Sequence, residues 1–310
     1  MSKNYSHRFL VILSFLAIYL IWGTTYLAIA IGVSEIPPFM LAFIRFASAG
    51  LIMVVYVIIK GEKFPTGRTI LNNFIVGSII LVGGQGLLIW SEQYITSGYA
   101  SILIATLPLW FVVMDRRHWK LYFGNPLIII GLVLGFIGIM VLFRDKLNAP
   151  IPVENMKLQL MATIAVLVGG VCWVIGTLYY RSNPSPGTMY SNLGWQLVLA
   201  SIVCLAISTF LGETKNFDWD SISISAWSSV LYLSLAGSII AFVAYTWLLK
   251  EVPSAIVSTY AYINPIIAVF VGWLIADELI SGNQVIGMII ILSSAVLVNL
   301  NRGRALSAKN

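Results

Sequence analysis

The residues of this chain that could do chemistry are polar and aromatic side chains set inside long apolar stretches. Several recur three or four positions apart, which places neighbours on one face of a helix. In chain order they are Trp22, Thr25, Tyr26, Gln85, Trp173, Thr177, Tyr260 and Asn264. Aromatic rings offer contact area and cation–π attraction, while amides and hydroxyls orient polar groups. These types predict a binding site for an apolar or zwitterionic solute, with helix packing as the alternative for each residue taken alone.

Arg45 is the one charge well inside a predicted membrane span. Counted from Pro38 at about 1.5 Å per residue, it lies roughly 10 Å into an apolar core about 30 Å thick. Its side chain could snorkel to the outer interface. A guanidinium held within the bundle would instead donate to a solute carboxylate, or to carbonyls freed where a helix is broken. Both interpretations stay open at the level of sequence.

Catalytic and metal-binding patterns are missing from the sequence. The two histidines, His7 and His118, lie in basic segments without Cys, Asp or Glu at metal-ligand spacing. We therefore predict no enzyme activity, no cofactor and no metal. The net charge of +6 comes from residues scattered over short loops rather than a basic patch. Nucleic acid is therefore not a predicted partner.

The acidic residues give a second expectation about chemistry. Asp277 and Glu278 precede the last predicted helix, where a helix N-terminus favours carboxylates. The other acids lie in loops or at helix ends, so no predicted span contains a buried carboxylate. Proton-coupled carriers commonly use such a group. The sequence thus predicts that any proton coupling does not depend on a carboxylate at mid-membrane.

Composition shows which elements must position these residues. The chain of 310 residues is 59% apolar and 10% charged, against about 45–50% and 25% in soluble domains. An all-α integral membrane protein follows, with the lipid bilayer as its surroundings. The ten predicted spans are at about 9–31, 38–59, 71–90, 97–115, 124–143, 158–180, 187–211, 224–249, 254–276 and 281–300.

Basic residues set the predicted orientation. With the N-terminus inside, thirteen Lys and Arg residues fall on the cytoplasmic side of the predicted spans. Only Arg144, Lys146, Lys157 and Lys215 fall outside. Cytoplasmic loops of membrane proteins carry such an excess. We expect a multi-pass protein of the cytoplasmic membrane with both termini in the cytoplasm.

Two predicted spans carry a proline near mid-depth. Pro108 and Pro265 are 157 residues apart, and the same offset relates Ser97 to Ser254. Proline removes a backbone hydrogen bond, which hydrocarbon cannot replace. Paired, interrupted spans in two halves of a chain are typical of transporter substrate sites. We predict a gating role for both prolines, with simple packing kinks as the alternative.

An internal repeat is the next prediction. Trp22 and Arg45 stand 151 residues before Trp173 and Gln196. Each half holds five predicted spans, an odd number, so the second half enters the membrane from the opposite side. The predicted domains are residues 1–150 and 151–310, as two inverted-topology repeats of five helices.

Several short motifs together resemble one family. They are Ile21-Trp22-Gly23-Thr24-Thr25, the Ile36-Pro37-Pro38 turn, the run Leu41 to Phe46, Asn264-Pro265, Gly272 to Glu278, and Gly287. They resemble the EamA-type families of the drug/metabolite transporter superfamily over nearly the whole chain. The resemblance implies a ten-helix inverted-repeat fold that moves small metabolites, often amino acids or their relatives, and usually by export. The turn after Pro108 lacks the glutamate that follows Pro265.

The sequence therefore predicts a secondary transporter whose partner is a small-molecule substrate. A channel-like or membrane-embedded interaction protein without alternating access is the alternative. The solute, the direction, the coupling ion and the oligomeric state do not follow from the sequence.

Overall fold

The structure, a computed structural model, describes residues 2–144, 156–215, 217–276 and 280–307. Within these ranges the chain is helical and forms no strand. The helices are α1 Ser2–Val33, α2 Pro38–Ile59, α3 Gly67–Ser91, α4 Ser97–Met114, α5 Pro126–Leu142, α6 Met156–Ser182, α7 Met189–Phe210, α8 Ile224–Glu251, α9 with the two pieces Ser254–Val257 and Tyr260–Ala276, and α10 Gly282–Ser307. Apart from the outer ends of α1 and α10, each bound lies within four residues of the predicted one.

Eight of the described helices are long and apolar enough to cross a membrane. A ninth crossing results if Arg116–Phe123 and α5, which meet at a bend of 98°, form one span. The apolar part of α10, Gly282–Val298, is shorter than the other spans. The predicted all-helical membrane architecture is therefore confirmed, whereas the count of ten spans stays a prediction. Asp277 and Glu278 lie outside the described residues.

The helices pack in reciprocal pairs. Helix α2 packs along α7, and α5 packs along α10. Helix α1 contacts α8 and α9, while α6 contacts α3 and α4. Each of these four packing relations has a counterpart five helices further on.

Helices α3 and α8 each contain a π-helical stretch, at Ser78–Gly86 and Leu233–Ile240. Glycines in these stretches permit close approach of neighbouring helices. A Cβ atom at Gly84 would lie 3.1 Å from the Trp173 ring. One at Gly237 would lie 3.2 Å from Cγ2 of Thr25 and 3.3 Å from Nη2 of Arg45. Side chains at these two positions would push apart the helices that carry the predicted site.

The interruption of α4 agrees with the sequence, but that of α9 does not lie at its proline. Helix α4 breaks at Ala105 and Thr106, and Pro108 stands in the first turn of its second part. In α9 the break falls at Ser258 and Thr259, and Pro265 lies within a continuous helix. The prediction that Pro265 breaks its span at that depth is therefore wrong.

Hydroxyl groups supply hydrogen bonds at both breaks. Thr106 Oγ1 donates to the carbonyl of Leu103, and Thr259 Oγ1 donates to that of Ile256, each at 2.7 Å. The same two carbonyls also accept the backbone N–H groups of Thr106 and Thr259, at 3.1 and 3.2 Å. The hydroxyl bonds therefore add to the tight backbone turn at each break.

Candidate functional site

An internal cavity lies where α1, α3, α4, α6 and α9 meet. Its volume is about 40 Å³. Its lining residues are Trp22, Thr25, Tyr26, Ile29, Gly84, Gln85, Leu88, Ile104, Leu107, Gly169, Gly170, Trp173, Tyr260 and Asn264. Seven of the nine residues predicted to bind solute are in this set. The structure thus brings together residues that lie far apart in the sequence.

Aromatic rings form one wall of the cavity. The Trp22 ring meets Trp173 edge-on at 5.6 Å between centroids and Tyr260 at 4.8 Å. Trp22 Nε1 donates to the carbonyl of Gly237 at 3.1 Å, and Trp173 Nε1 donates to the Tyr245 hydroxyl at 3.0 Å. Both indoles are therefore fixed in orientation, and their faces and edges are available to an apolar or cationic group.

The amide of Asn264 joins α1 to α9. With its nitrogen turned toward the neighbouring carbonyls, it donates to Tyr260 O at 2.9 Å and to Tyr19 O at 3.2 Å. Asn264 is buried and lines the cavity. Its amide therefore serves a helix contact and the cavity wall at once, so the two interpretations of the sequence do not exclude each other.

Thr177 and Arg45 do not line the cavity. Thr177 is hydrogen-bonded to the Tyr245 hydroxyl at 2.9 Å, behind the aromatic wall. Arg45 is 1% exposed, and its Nε donates to Ser238 Oγ at 2.8 Å. The expectation that Arg45 snorkels to the interface is wrong, because α8 covers the guanidinium inside the bundle. Its Nη1 has no hydrogen-bond partner among the described residues.

Sequence reasoning missed three residues of this region. Tyr245 and Phe242, one helical turn apart on α8, complete the aromatic wall around Trp22 and Trp173. Because they are three residues apart, the sequence could have indicated that both rings lie on one face of the helix. Glu92, the residue after α3, is 8% exposed. Glu92 lies outside the predicted spans, as expected for the acids, but no sequence signal indicated that it is buried.

A wider space opens at the end of the bundle where α2 begins and α3 ends. We call it the vestibule; its volume is about 390 Å³. Its lining residues are Val33, Ser34, Glu35, Ile36, Pro37, Pro38, Trp90, Gln93, Tyr94, Leu211 and Glu213. Helix α3 runs past both spaces, with Leu88 at the cavity and Trp90 at the vestibule.

A polar cluster at the opposite end ties the two interrupted helices together. Asp115, just after α4, accepts from Tyr122 Oη at 3.0 Å and lies 2.9 Å from Nδ1 of His118. The backbone N–H of Ala255 in α9 donates to the Tyr122 hydroxyl at 3.5 Å. Burial by itself raises the pKa of Asp115, but His118, Tyr122 and Arg181 together lower it below its ordinary value. Asp115 is thus a charged anchor at this end.

The long apolar helices among the described residues define a class, that of multi-pass membrane proteins. Comparison with known protein families agrees with this class. The sequence pattern of the EamA-like transporter family matches residues 9–144 and again residues 160–300. The chain belongs to the EamA-like transporter family and is a membrane transporter.

Relatives extend over almost the whole chain. The uncharacterized inner membrane transporter YedA of Escherichia coli is 32% identical, over 92% of this chain and 89% of that protein. The uncharacterized transporter YoaV of Bacillus subtilis is 25% identical, over 91% and 94% respectively. A crystal structure with 17% identity superposes with a TM-score of 0.73, over 95% of this chain and 98% of that one. That likeness supports the fold alone.

Proposed function

We propose that this chain is a secondary transporter that exports small amphipathic metabolites, amino acids or their relatives, by alternating access. The observation that carries the proposal is the cavity, whose wall combines indole and phenol rings with amide groups. Such a wall suits a solute with an ammonium group and an apolar part. Trp22, Tyr26, Trp173 and Tyr260 supply contact area, and Asn264 orients the polar end.

The size of the cavity supports alternating access. Small-molecule sites measure about 300–1,000 Å³, whereas this cavity measures about 40 Å³. The helices around it must separate before a metabolite can enter. Such a separation and closure of helices is typical of a carrier that works by alternating access rather than of a standing pore.

Symmetry within the chain supports two inverted repeats, residues 1–150 and 151–310. Helices α2 and α7 begin 151 residues apart and also end 151 residues apart. The same offset relates Glu62 to Glu213, and the two carboxylates act reciprocally. Glu62 accepts from Thr188, before α7, at 2.8 Å, while Glu213 accepts from the N–H of Met40 in α2 at 3.0 Å. A pseudo-two-fold axis through the α2–α7 contact would generate this arrangement.

The membrane and the orientation complete the proposal. YedA carries the description of an inner membrane transporter, and we assign the same membrane to this chain. The excess of basic residues on one side supports cytoplasmic termini. If α10 crosses as well as the nine possible spans, the chain crosses ten times.

Counterflow in proteoliposomes tests the proposal. Vesicles preloaded with one unlabelled amino acid, purine or lipophilic cation at a time should accumulate the labelled form, and uptake should saturate. Trp22→Ala should lower the apparent affinity. Trp219→Ala is the matched control, because Trp219 is 52% exposed and remote from the cavity wall. Flux without saturation or trans-stimulation would instead establish the channel-like alternative.

A further inference from the structure

Glu92 lines neither the cavity nor the vestibule, but it lies between residues that do. It follows Leu88 by one helical turn, and Leu88 lines the cavity. Trp90 and Gln93, on either side of it in the sequence, line the vestibule. Along the chain, Glu92 therefore stands where the two linings meet.

The carboxyl group of Glu92 is buried and poorly partnered. Its Oε2 accepts from Ser97 Oγ at the long distance of 3.4 Å. Its Oε1 is buried and has no hydrogen-bond partner among the described residues. In the same ranges, no basic group lies within the 4.0 Å of an ion pair with it. A carboxylate that has lost water without gaining partners is costly, so the neutral acid is favoured.

The surroundings of Glu92 have opposing effects on its pKa. Arg45 on α2 is the cation whose field reaches it, and Arg45 is itself buried. Tyr26 is the titratable neighbour on α1. Ser97 on α4 is uncharged, and Lys157 on α6 is exposed. Burial raises the pKa of Glu92 well above its usual range, and the Ser97 hydrogen bond and the Arg45 charge only partly oppose this.

The acids of the vestibule differ from Glu92, since both are engaged with backbone N–H groups. Glu35 accepts from Ser223 N and Glu213 from Met40 N. Hydrogen bonds from Ser223 lower the pKa of Glu35. Glu35 and Glu213 thus hold helix starts through backbone N–H groups, whereas Glu92 accepts from no backbone N–H among the described residues.

We propose that Glu92 binds and releases the proton that drives transport, with Arg45 as its charge partner. A proton from vestibule water adds to the carboxylate and gives the neutral acid, and the same O–H bond breaks on release. Arg45 keeps its own protons throughout. The inference rests on the proposed function, because only a secondary transporter needs such a driving ion. It places the coupling group at a helix end rather than at mid-membrane.

Proton binding is coupled to solute binding because Glu92 and an anionic solute group compete for the positive charge of Arg45. When Glu92 is neutral, the guanidinium lacks a counter-charge, and its field favours an anionic group of a solute in the cavity, although Arg45 does not line that cavity. When Glu92 is ionised, it competes with that group. By linkage, proton binding and anion binding then strengthen each other to the same extent.

Infrared titration of the purified, solute-free protein tests proton binding directly. Wild type should show a protonated-carboxyl C=O band at pH 7 that Glu92→Gln removes. Glu35→Gln, at an exposed acid of the same end, should keep the band. Glu92→Asp should shift it, and this variant keeps the test valid if Glu92→Gln fails to fold. A band of unchanged intensity in Glu92→Gln, or none in wild type, would overturn the proposal.

Flux tests the coupling. In wild-type vesicles an imposed pH gradient should raise solute flux several-fold, and in Glu92→Gln the ratio of flux with and without the gradient should fall to one. An unchanged ratio in that variant would overturn the coupling role. If wild type showed no saturable exchange of any solute, the proposed function would fail instead. The infrared result would still decide whether Glu92 holds a proton.

Discussion

Arg45 is a full positive charge with a single side-chain hydrogen bond inside an apolar bundle. Evolution of a purely structural bundle would favour an apolar residue there, since burying an incompletely paired charge is costly. In the second half the equivalent position holds Gln196, which donates to Asn73 at 3.2 Å. The two halves therefore differ in charge at one matched position, which is the position to exchange.

Arg45→Gln should insert and melt normally but lose affinity for anionic and zwitterionic solutes by about tenfold or more, and least for cations. This result requires the opened cavity to reach Arg45, which does not line it here; the guanidinium is then a charge-assisted donor, worth about 1.5–3 kcal/mol. Binding isotherms from thermal-shift measurements give this change in affinity. Arg68→Gln, at an exposed arginine, is the control. A lower melting temperature with unchanged affinity would make Arg45 a structural residue.

Asp115→Asn should destabilise the protein at neutral pH and have little effect in acid. The lowered pKa of Asp115 means that its stabilising contribution is present above the ordinary value of 3.8 and is lost as pH falls through the lowered one. The melting temperatures of Asp115→Asn and wild type, measured from pH 3 to pH 8, should therefore converge at the acid end. Asp220→Asn, at an exposed acid, should run parallel to wild type, and parallel curves for Asp115→Asn would contradict the assignment.

At single residues, sequence spacing located the cavity wall because helical periodicity alone puts Trp22, Thr25 and Tyr26 on one face. It missed Glu92 and left the position of the Arg45 side chain open. Both lie near helix ends, and whether a helix end is covered depends on neighbours such as α8, which no local pattern specifies. Thr177 was placed on the correct face of α6, but Tyr245 from α8 stands between it and the cavity.

Among the elements, the interrupted helices differ in a way that the prolines did not reveal. Pro108 stands two residues after the α4 break, where its missing N–H costs nothing. Pro265 lies six residues beyond the α9 break, inside a helix. The hydroxyls of Ser258 and Thr259 add local bonds to the backbone turn at that break. Proline positions therefore identified the right spans and one of the two break points.

Pro108→Ala should lower turnover more than it lowers insertion. Alanine supplies an N–H that can bond to the carbonyl four residues earlier, so α4 can straighten across Ala105 and Thr106 and stiffen the gate. The maximal rate of counterflow, normalised to protein in the membrane, measures it. Pro126→Ala, in the first turn of α5, is the control.

Pro265→Ala should also impair turnover, because Pro265 is next to the cavity residue Asn264 and limits the straightness of α9. We expect a smaller effect than at Pro108, since the break in α9 lies elsewhere and remains. Wild-type rates in both single variants would leave packing as the sole role of these prolines.

For the whole molecule, both termini should be cytoplasmic. Reporter fusions after Asn310 and within residues 148–155 check this, because the terminus and that loop should fall on opposite sides of the membrane. A C-terminus outside the cytoplasm would contradict the ten-span arrangement. The helix bounds behind this prediction follow from hydropathy, but the pairing of α2 with α7 does not, because packing partners depend on surfaces rather than on span lengths.

At the vestibule end of the molecule, two carboxylates join the halves through four hydrogen bonds. Glu35 accepts from the N–H and hydroxyl of Ser223, both at 2.7 Å, and thereby fixes the start of α8. Glu213 fixes the start of α2. If the vestibule opens toward the cavity during the cycle, the helix starts must separate and these bonds must break. Removing their charge should favour the open state.

The double variant Glu35→Gln/Glu213→Gln should therefore make Ile29→Cys, a cavity position on α1, react several-fold faster with an impermeant thiol reagent added on the vestibule side. Cys172 and Cys204 are first replaced by alanine in every variant. Glu62→Gln is the matched control, because Glu62 makes the corresponding contact with Thr188 at the other end. Loss of the Glu62–Thr188 contact should leave the rate of thiol modification unchanged or lower it, because that contact joins the halves at the opposite end. Equal acceleration by Glu62→Gln would mean that the carboxylates loosen the bundle in general and do not select which side opens.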